Sequence, residues 1–331
     1  MIKKSKIIFS LIFLSFISTA CIEQLFSPQA TYDARKITIQ SLSLFNQRIS
    51  LASKKIAWKG DWIFRRDRLD AIDQTLRGVK PDVLIFQEIM EKKNSPYDTD
   101  QNILAAGSLL GYSWQTVNIR EFNDSHELES MGLVTGLPVY KDPFESSRKK
   151  MWKLGKDNYL SVFIAKTEGH EIAFFNLKLS HVFADQEIWY SYIKDRIQEY
   201  MSEHSICPKR LVLAGIFGGS PSQKDYINLL QSLQLEDSSL GFCELENPCY
   251  TETPENPLFL AANGDTPPRR DVRILIHRSA LIYSSNRNFN DLKENHTFFS
   301  GSSKQIHSSP VEHFGWLTSV RFARCNDSSL F

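Results

Sequence analysis

Five cysteines, 15 glycines and 13 prolines in 331 residues are too few for a disulfide-dense miniprotein, a collagenous chain or a low-complexity one. No repeat and no long linker divides the chain. No sign of charge dominates, since 39 Lys plus Arg face 38 Asp plus Glu. The P-loop, the H-E-x-x-H helix and the G-x-S-x-G elbow are all missing, which leaves nucleotide hydrolase, zincin and serine hydrolase chemistry without support. No C-x-x-C pair is accompanied by a second Cys or His pair, so no structural zinc site is expected. What is present is 42% hydrophobic and 12% aromatic residues, enough apolar surface for a large core. At about 150 residues per domain the length suggests two domains, but sheet folds run to about 250 residues as one, so length alone leaves the number open.

The longest apolar run is short and sits at the start. Lys3, Lys4 and Lys6 precede Ile7 to Ile17, followed by Ser18, Thr19, Ala20 and Cys21. That order is a basic n-region, a short h-region and a small-residue cleavage site, so residues 1–20 are expected to be a signal peptide rather than a membrane span. Cys21 after Ala20 resembles a bacterial lipobox, although Ser18 stands where Leu is usual; the resemblance implies a lipidated Cys21, and ordinary cleavage with an unmodified Cys is the alternative. The chain is then expected to divide into a tether over 21–35, a domain over 36–325 and a tail over 326–331. Removing residues 1–20 takes away three Lys and no acid, so 36 cations face 38 anions and the formal charge is −2. A mature chain so balanced has no global pull toward nucleic acid. Export permits disulfides. Cys243 and Cys249 stand close enough in sequence to close a small loop, leaving Cys207 with Cys325; four free thiols are the alternative.

Strand-length apolar segments recur at 37–45, 83–86, 132–139, 159–164, 172–179, 211–215, 272–276 and 316–322, bounded by Gly, Pro or Asp. Between them, Leu69, Ile72, Leu76 and Val79 recur at helical spacing within 67–79, and 190–201 and 225–233 show the same period. A further helix is expected over 103–110. Strands alternating with helices predict an α/β protein with helices outside the sheets.

One segment carries a more specific signal. Residues 65–90 run helix, Pro81-Asp82 turn, apolar strand, then Gln87-Glu88. A carboxylate where a buried strand exits is poorly explained by packing. The segment resembles the glutamate motif of the endonuclease/exonuclease/phosphatase family, metal-dependent phosphodiesterases in which this Glu binds Mg²⁺. Other segments follow in the family's order. Leu42 to Asn46 is similar to its first strand with a metal-side Asn, and Met131 to Val139 to its G-L-x-x-x-S-x-x-P-I segment. Phe175-Asn176-Leu177-Lys178-Leu179 is similar to N-T-H-L, and Gly215-Ile216-Phe217-Gly218 to the G-D-F-N loop. Val272 to Ile276 is similar to V-R-I-D-Y, and Glu312-His313 to the terminal D-H. The stretch from Tyr250 to Pro257 is most like the neutral-sphingomyelinase branch. The resemblance implies a four-layer α/β sandwich of two packed mixed β-sheets with helices outside.

The family's reaction is attack of water on a phosphodiester, which needs a hard cation on oxygen ligands, an oriented base and donors to the phosphoryl oxygens. By the resemblance Asn46 and Glu88 form the metal side, with Mg²⁺ as the cofactor, and His313 is the base. Glu312 keeps the charge of the Asp it replaces, and Lys178 replaces a His while retaining a positive donor. His181 would fall on the other face of the strand from Lys178. Ile216 and Gly218 stand where the family's water-orienting Asp and phosphoryl-donating Asn belong, and neither side chain can accept or donate a proton. Leu275 takes the place of the Asp that partners the base, with Asp271 nearby if the register shifts. The basic groups 65–68, 148–150 and 269–270 read either as contacts to phosphate or anionic lipid, or as a solvated face. The expectation is therefore a membrane-anchored pseudoenzyme of the cell envelope, facing periplasm or exterior and binding a phosphodiester or phospholipid headgroup. The competing expectation is an active Mg²⁺-dependent phosphodiesterase with a rebuilt site.

Overall fold

The computed structural model describes residues 31–44, 65–92, 104–122, 127–139, 148–155, 157–179, 186–218, 224–239, 241–243, 250–251, 268, 271–288, 297–299, 305–307 and 315–325. Cys21, Asn46, His181, Cys249, Arg269, Arg270, Glu312 and His313, together with the expected signal peptide and C-terminal tail, lie outside the described residues.

Two six-stranded mixed sheets form the frame. The strands are β1 (Ile37–Ser43), β2 (Val83–Lys92), β3 (Ser113–Phe122), β4 (Glu127–Thr135), β5 (Lys150–Lys153), β6 (Tyr159–Thr167), β7 (His170–Lys178), β8 (Leu211–Ile216), β9 (Leu235–Asp237), β10 (Val272–His277), β11 (Leu281–Asn288), β12 (Thr297–Phe299), β13 (Gln305–His307) and β14 (Gly315–Arg321). One sheet has the order β11-β14-β1-β2-β4-β3 and the other β5-β6-β7-β8-β10-β9, while β12 and β13 form a separate hairpin. Ile37, Ile39, Val83, Ile85, Trp316 and Val320 of the first sheet meet Phe163, Phe174, Val212, Ala214, Ile274 and Ile276 of the second in one shared core. Shared burial makes the two sheets one packed unit.

Helices cover the outer faces. Helix α1 (Arg65–Val79) buries Leu69, Ile72 and Leu76 against Leu84 and Phe86 of β2. It stops where Lys80 takes a positive φ of 45° and donates its N–H to Leu76 O, just before Pro81. Helices α2 (Gln186–Glu203) and α3 (Lys224–Ser232) cover the second sheet through Tyr190, Ile193, Ile197, Tyr226 and Leu229. The helix expected over 103–110 is corrected: its described part is one helical turn at 104–106 followed by turns. The cause is a side chain of α1, because Asp73 accepts the Ser108 N–H at 2.5 Å and draws the chain out of helical pairing. No helix among the described residues is long and apolar enough to cross a membrane.

Ordered packing begins before residue 36, where the sequence boundary fell. Tyr32 bridges Ala323, and Asp33 donates its N–H to Phe322 O at 3.0 Å while pairing with Arg210 at 2.6 Å. Cys207 and Cys325 are joined by a disulfide across 118 residues at the same pole. Closing a loop of about that length removes roughly 4.7 kcal/mol of unfolded-state entropy in the simple chain model. Cys243 is also disulfide-bonded.

Candidate active site

The opposite pole, where β1, β2, β7 and β8 end, gathers the charged groups. Phe86 pairs with Gly132 and Ile89 with Ser130, so Gln87 and Glu88 together face the single residue Met131 in a β-bulge. Glu88 takes φ 62°, a conformation costing about 1–2 kcal/mol for a residue with a Cβ. The bulge turns consecutive side chains to different tasks. Gln87 Nε2 donates to Asn176 Oδ1 at 2.8 Å, and Asn176 Nδ2 donates back to Phe86 O at 2.7 Å, which ties the two sheets together. Glu88 instead reaches Ser43 at the end of β1, whose hydroxyl donates to Oε2 at 2.8 Å, and Lys178 at the end of β7, whose Nζ lies 3.1 Å from Oε1.

Lys178 is 7% exposed. Its ammonium also donates to Glu129 Oε1 of β4, a carboxylate with no exposed surface. Arg120 Nε stands 3.7 Å from Glu129 Oε2, and the same guanidinium donates to Asp157. Burial by itself would lower the Lys178 pKa; attraction to Glu88 and Glu129, with their hydrogen bonds, outweighs it and holds the ammonium above its ordinary range. Lys178 is thus a permanent cation between two carboxylates.

Ile216, beside Lys178 in the parallel β7–β8 register, is buried in the inter-sheet core. Gly218 follows at φ 61°. The structure therefore brings together Glu88, Lys178 and Ile216. Leu275 does not join them. It packs on the helix side of β10 with Leu213, Leu235 and Tyr226, whereas Val272, Ile274 and Ile276 line the inter-sheet core. It also pairs with Leu213, three residues inward from the Val272–Ile216 pair. Asp271 is buried beside that pair, where its carbonyl accepts the Phe217 N–H at 3.0 Å. Its charge is felt by Arg273 and Tyr190 on the helix side. Arg273 lies 4.6 Å from the Tyr226 ring centroid in that layer, a structural cation rather than a site group.

The basic group at 148–150 is absorbed locally: Arg148 pairs with Glu171, Lys149 donates to Thr116 O at 3.2 Å, and Lys150 lies 3.9 Å from Glu203. Sequence reasoning missed Glu129, Arg120, Asp157 and Ser43. The available signal was Glu127 and Glu129 alternating just ahead of Met131, which extends that strand toward its N-terminus.

The described residues around Glu88 do not fit a divalent cation there. Both carboxylate oxygens are engaged, one by an ammonium, and a second cation about 4 Å from Nζ with twice its charge would be repelled by roughly 8 kcal/mol at an effective dielectric of about 20. No group of three or more His, Cys, Asp or Glu side chains among the described residues could hold a metal ion.

No protein-family model and no curated protein sequence matches the chain. Solved structures do. A protein of the endonuclease/exonuclease/phosphatase family from Bacteroides thetaiotaomicron superposes with a TM-score of 0.61 at 16% identity, over 87% of this chain and 98% of that one. A mannosyl-6-phosphatase from the same organism gives 0.58 at 16% identity, over 86% and 99%. The human Nocturnin catalytic domain with a bound sulfate anion gives 0.55 at 15% identity, over 89% and 97%. This chain has the fold of those proteins.

Proposed function

From the endonuclease/exonuclease/phosphatase fold as premise, we propose that this chain is a cell-envelope lipoprotein whose domain no longer turns over phosphodiesters and acts by binding. One observation carries the reading: the Lys178 ammonium, held between Glu88 and Glu129, supplies the positive charge at the carboxylate that the resemblance assigns to Mg²⁺. A tethered ammonium neutralises carboxylates but cannot acidify a bound water as a metal does. Ile216, in the neighbouring register position, offers no proton acceptor to orient water. The ligand class is a phosphodiester or phospholipid headgroup, to be bound without cleavage, and the balanced charge argues against nucleic acid.

The test is a panel of bis-p-nitrophenyl phosphate, sphingomyelin and DNA with Mg²⁺ or Mn²⁺. Hydrolysis should stay near background and should not change in Glu88→Ala. Robust wild-type turnover abolished by both Glu88→Ala and His313→Ala would replace this proposal with the active phosphodiesterase.

Anchoring rests on Lys3, Lys4 and Lys6, the apolar run and the Ala20-Cys21 junction. Metabolic labelling with a fatty-acid analogue should be lost in Cys21→Ala. Equal labelling of that variant refutes the anchor.

A further inference from the structure

Where the chain joins the domain, the outer face of the first sheet carries a basic and aromatic patch. Ile37 pairs with Val320, and Leu281 with Arg321. Arg321 and Leu281 therefore share a row across β14 and β11, on the face away from the core that Ile37 and Val320 occupy, and Lys36, one residue before β1, continues that row. Tyr283 is 47% exposed and Leu281 40%. The Tyr283 ring sits between two cations, with Lys36 Nζ 5.8 Å and the Arg321 guanidinium 5.4 Å from its centroid.

Nearby cations are matched: Arg35 pairs with Asp82 at 2.5 Å, Arg324 with Glu168 at 3.4 Å and Arg210 with Asp33 at 2.6 Å. Among the described residues no such carboxylate pairs with Lys36 or Arg321; Lys36 is exposed and Arg321 half-buried, both against the Tyr283 ring. Arg278, which also acts on the Glu236 carboxylate, and Lys209 lie near His277. Burial first, and then those two cations, push the His277 pKa down to about 4 at this pole.

The distance to the proposed anchor is short. Eleven residue steps lead from Cys21 to Tyr32, the first bridged residue, and fully extended they reach about 40 Å. A bilayer holding Cys21 is thus within reach of this pole. Anionic headgroups match outward Lys and Arg, while Tyr and Leu side chains suit the headgroup–acyl boundary.

We propose that Lys36, Arg321, Tyr283 and Leu281 form a membrane-docking surface for anionic phospholipid headgroups, which seats the domain with its Lys178 pole directed away from the bilayer. The orientation rests on the anchor proposed above; the headgroup contact does not, and its test uses an unlipidated protein. The mature chain from residue 21 carrying Cys21→Ala, which retains all described residues, is sedimented with vesicles of phosphatidylglycerol and phosphatidylethanolamine, or of phosphatidylcholine alone. Binding is expected only to the anionic vesicles and should fall at high salt. Lys36→Ala with Arg321→Ala should weaken it roughly 25-fold, at about fivefold per basic side chain. Tyr283→Ser should weaken it further. Lys194→Ala with Arg196→Ala on α2, which covers the other sheet, should leave it unchanged. Equal binding to phosphatidylcholine, no binding to anionic vesicles, or an equal loss in the α2 variant overturns the docking surface. Failure of Cys21 labelling alone would remove the anchor and leave the vesicle result standing.

Discussion

Gly215→Ala should leave little or no folded protein. Gly215 lies in β8 at φ 131°, opposite Leu177 of β7, and an added Cβ would stand 2.0 Å from Leu177 O and 2.9 Å from Leu177 N. The obstacle is backbone in a buried strand pair, so no side-chain rotation relieves it. The strands must separate in the middle of the second sheet, next to the Lys178–Ile216 pair. The expected cost exceeds about 4 kcal/mol, the range reserved for such clashes. Gly111→Ala is the control, because Gly111 also has a positive φ of 83° but nothing within 4 Å of the added carbon, and should cost only about 1–2 kcal/mol. Soluble yield and denaturant midpoints check the pair. Near-equal values for the two variants would mean that β7 and β8 do not approach as described.

Lys178→Ala should destabilise the protein by about 3–5 kcal/mol, because it leaves Glu88 and Glu129 facing each other with their shared ammonium gone. Adding Glu129→Gln to that variant should recover part of the loss, and a double-mutant cycle on denaturation midpoints should give a coupling of more than about 1 kcal/mol. Mn²⁺ distinguishes a lysine that replaces a cation from one that merely packs. Millimolar Mn²⁺ should raise the melting temperature of Lys178→Ala, whose carboxylates are released to a metal, and leave the wild type unmoved. An equal rise in both proteins, or a Lys178→Ala variant within about 1 kcal/mol of wild type, contradicts the ammonium's role.

Legibility in the sequence followed burial. The strands rich in apolar residues, such as Leu211–Ile216 and Val272–His277, are buried along their whole length and stood out. Besides the short β12–β13 pair, the strands missed, β3, β5, β9 and β11, are the four outer edges of the two six-stranded sheets. An edge strand pairs on one side only and is short or polar, as in Lys150–Lys153 and Leu235–Asp237, so it leaves no apolar run to find. Glu88 was legible because a carboxylate ending a buried strand has no packing reason to be there. Glu129 was not, since its partner Lys178 lies 49 residues away and only folding brings them together. Leu275 illustrates a third limit: side chains alternate along a strand, so placement by motif spacing does not fix which face a residue takes. The structure puts Leu275 with Tyr226 and Leu213 under the helices.

The disulfide between Cys207 and Cys325 has a consequence for resistance to proteolysis. It makes a covalent ring of everything from β8 through β14, the half of the domain that contributes Ile216, Asp271 and Trp316. A protease that cuts once anywhere inside the ring opens it but releases no fragment, because both new pieces stay attached through sulfur. Cleavage there changes connectivity without changing mass beyond one water, and the interior strands keep their partners. Only a reductant would then let the halves part, so durability toward proteases is set by redox conditions as well as by folding stability.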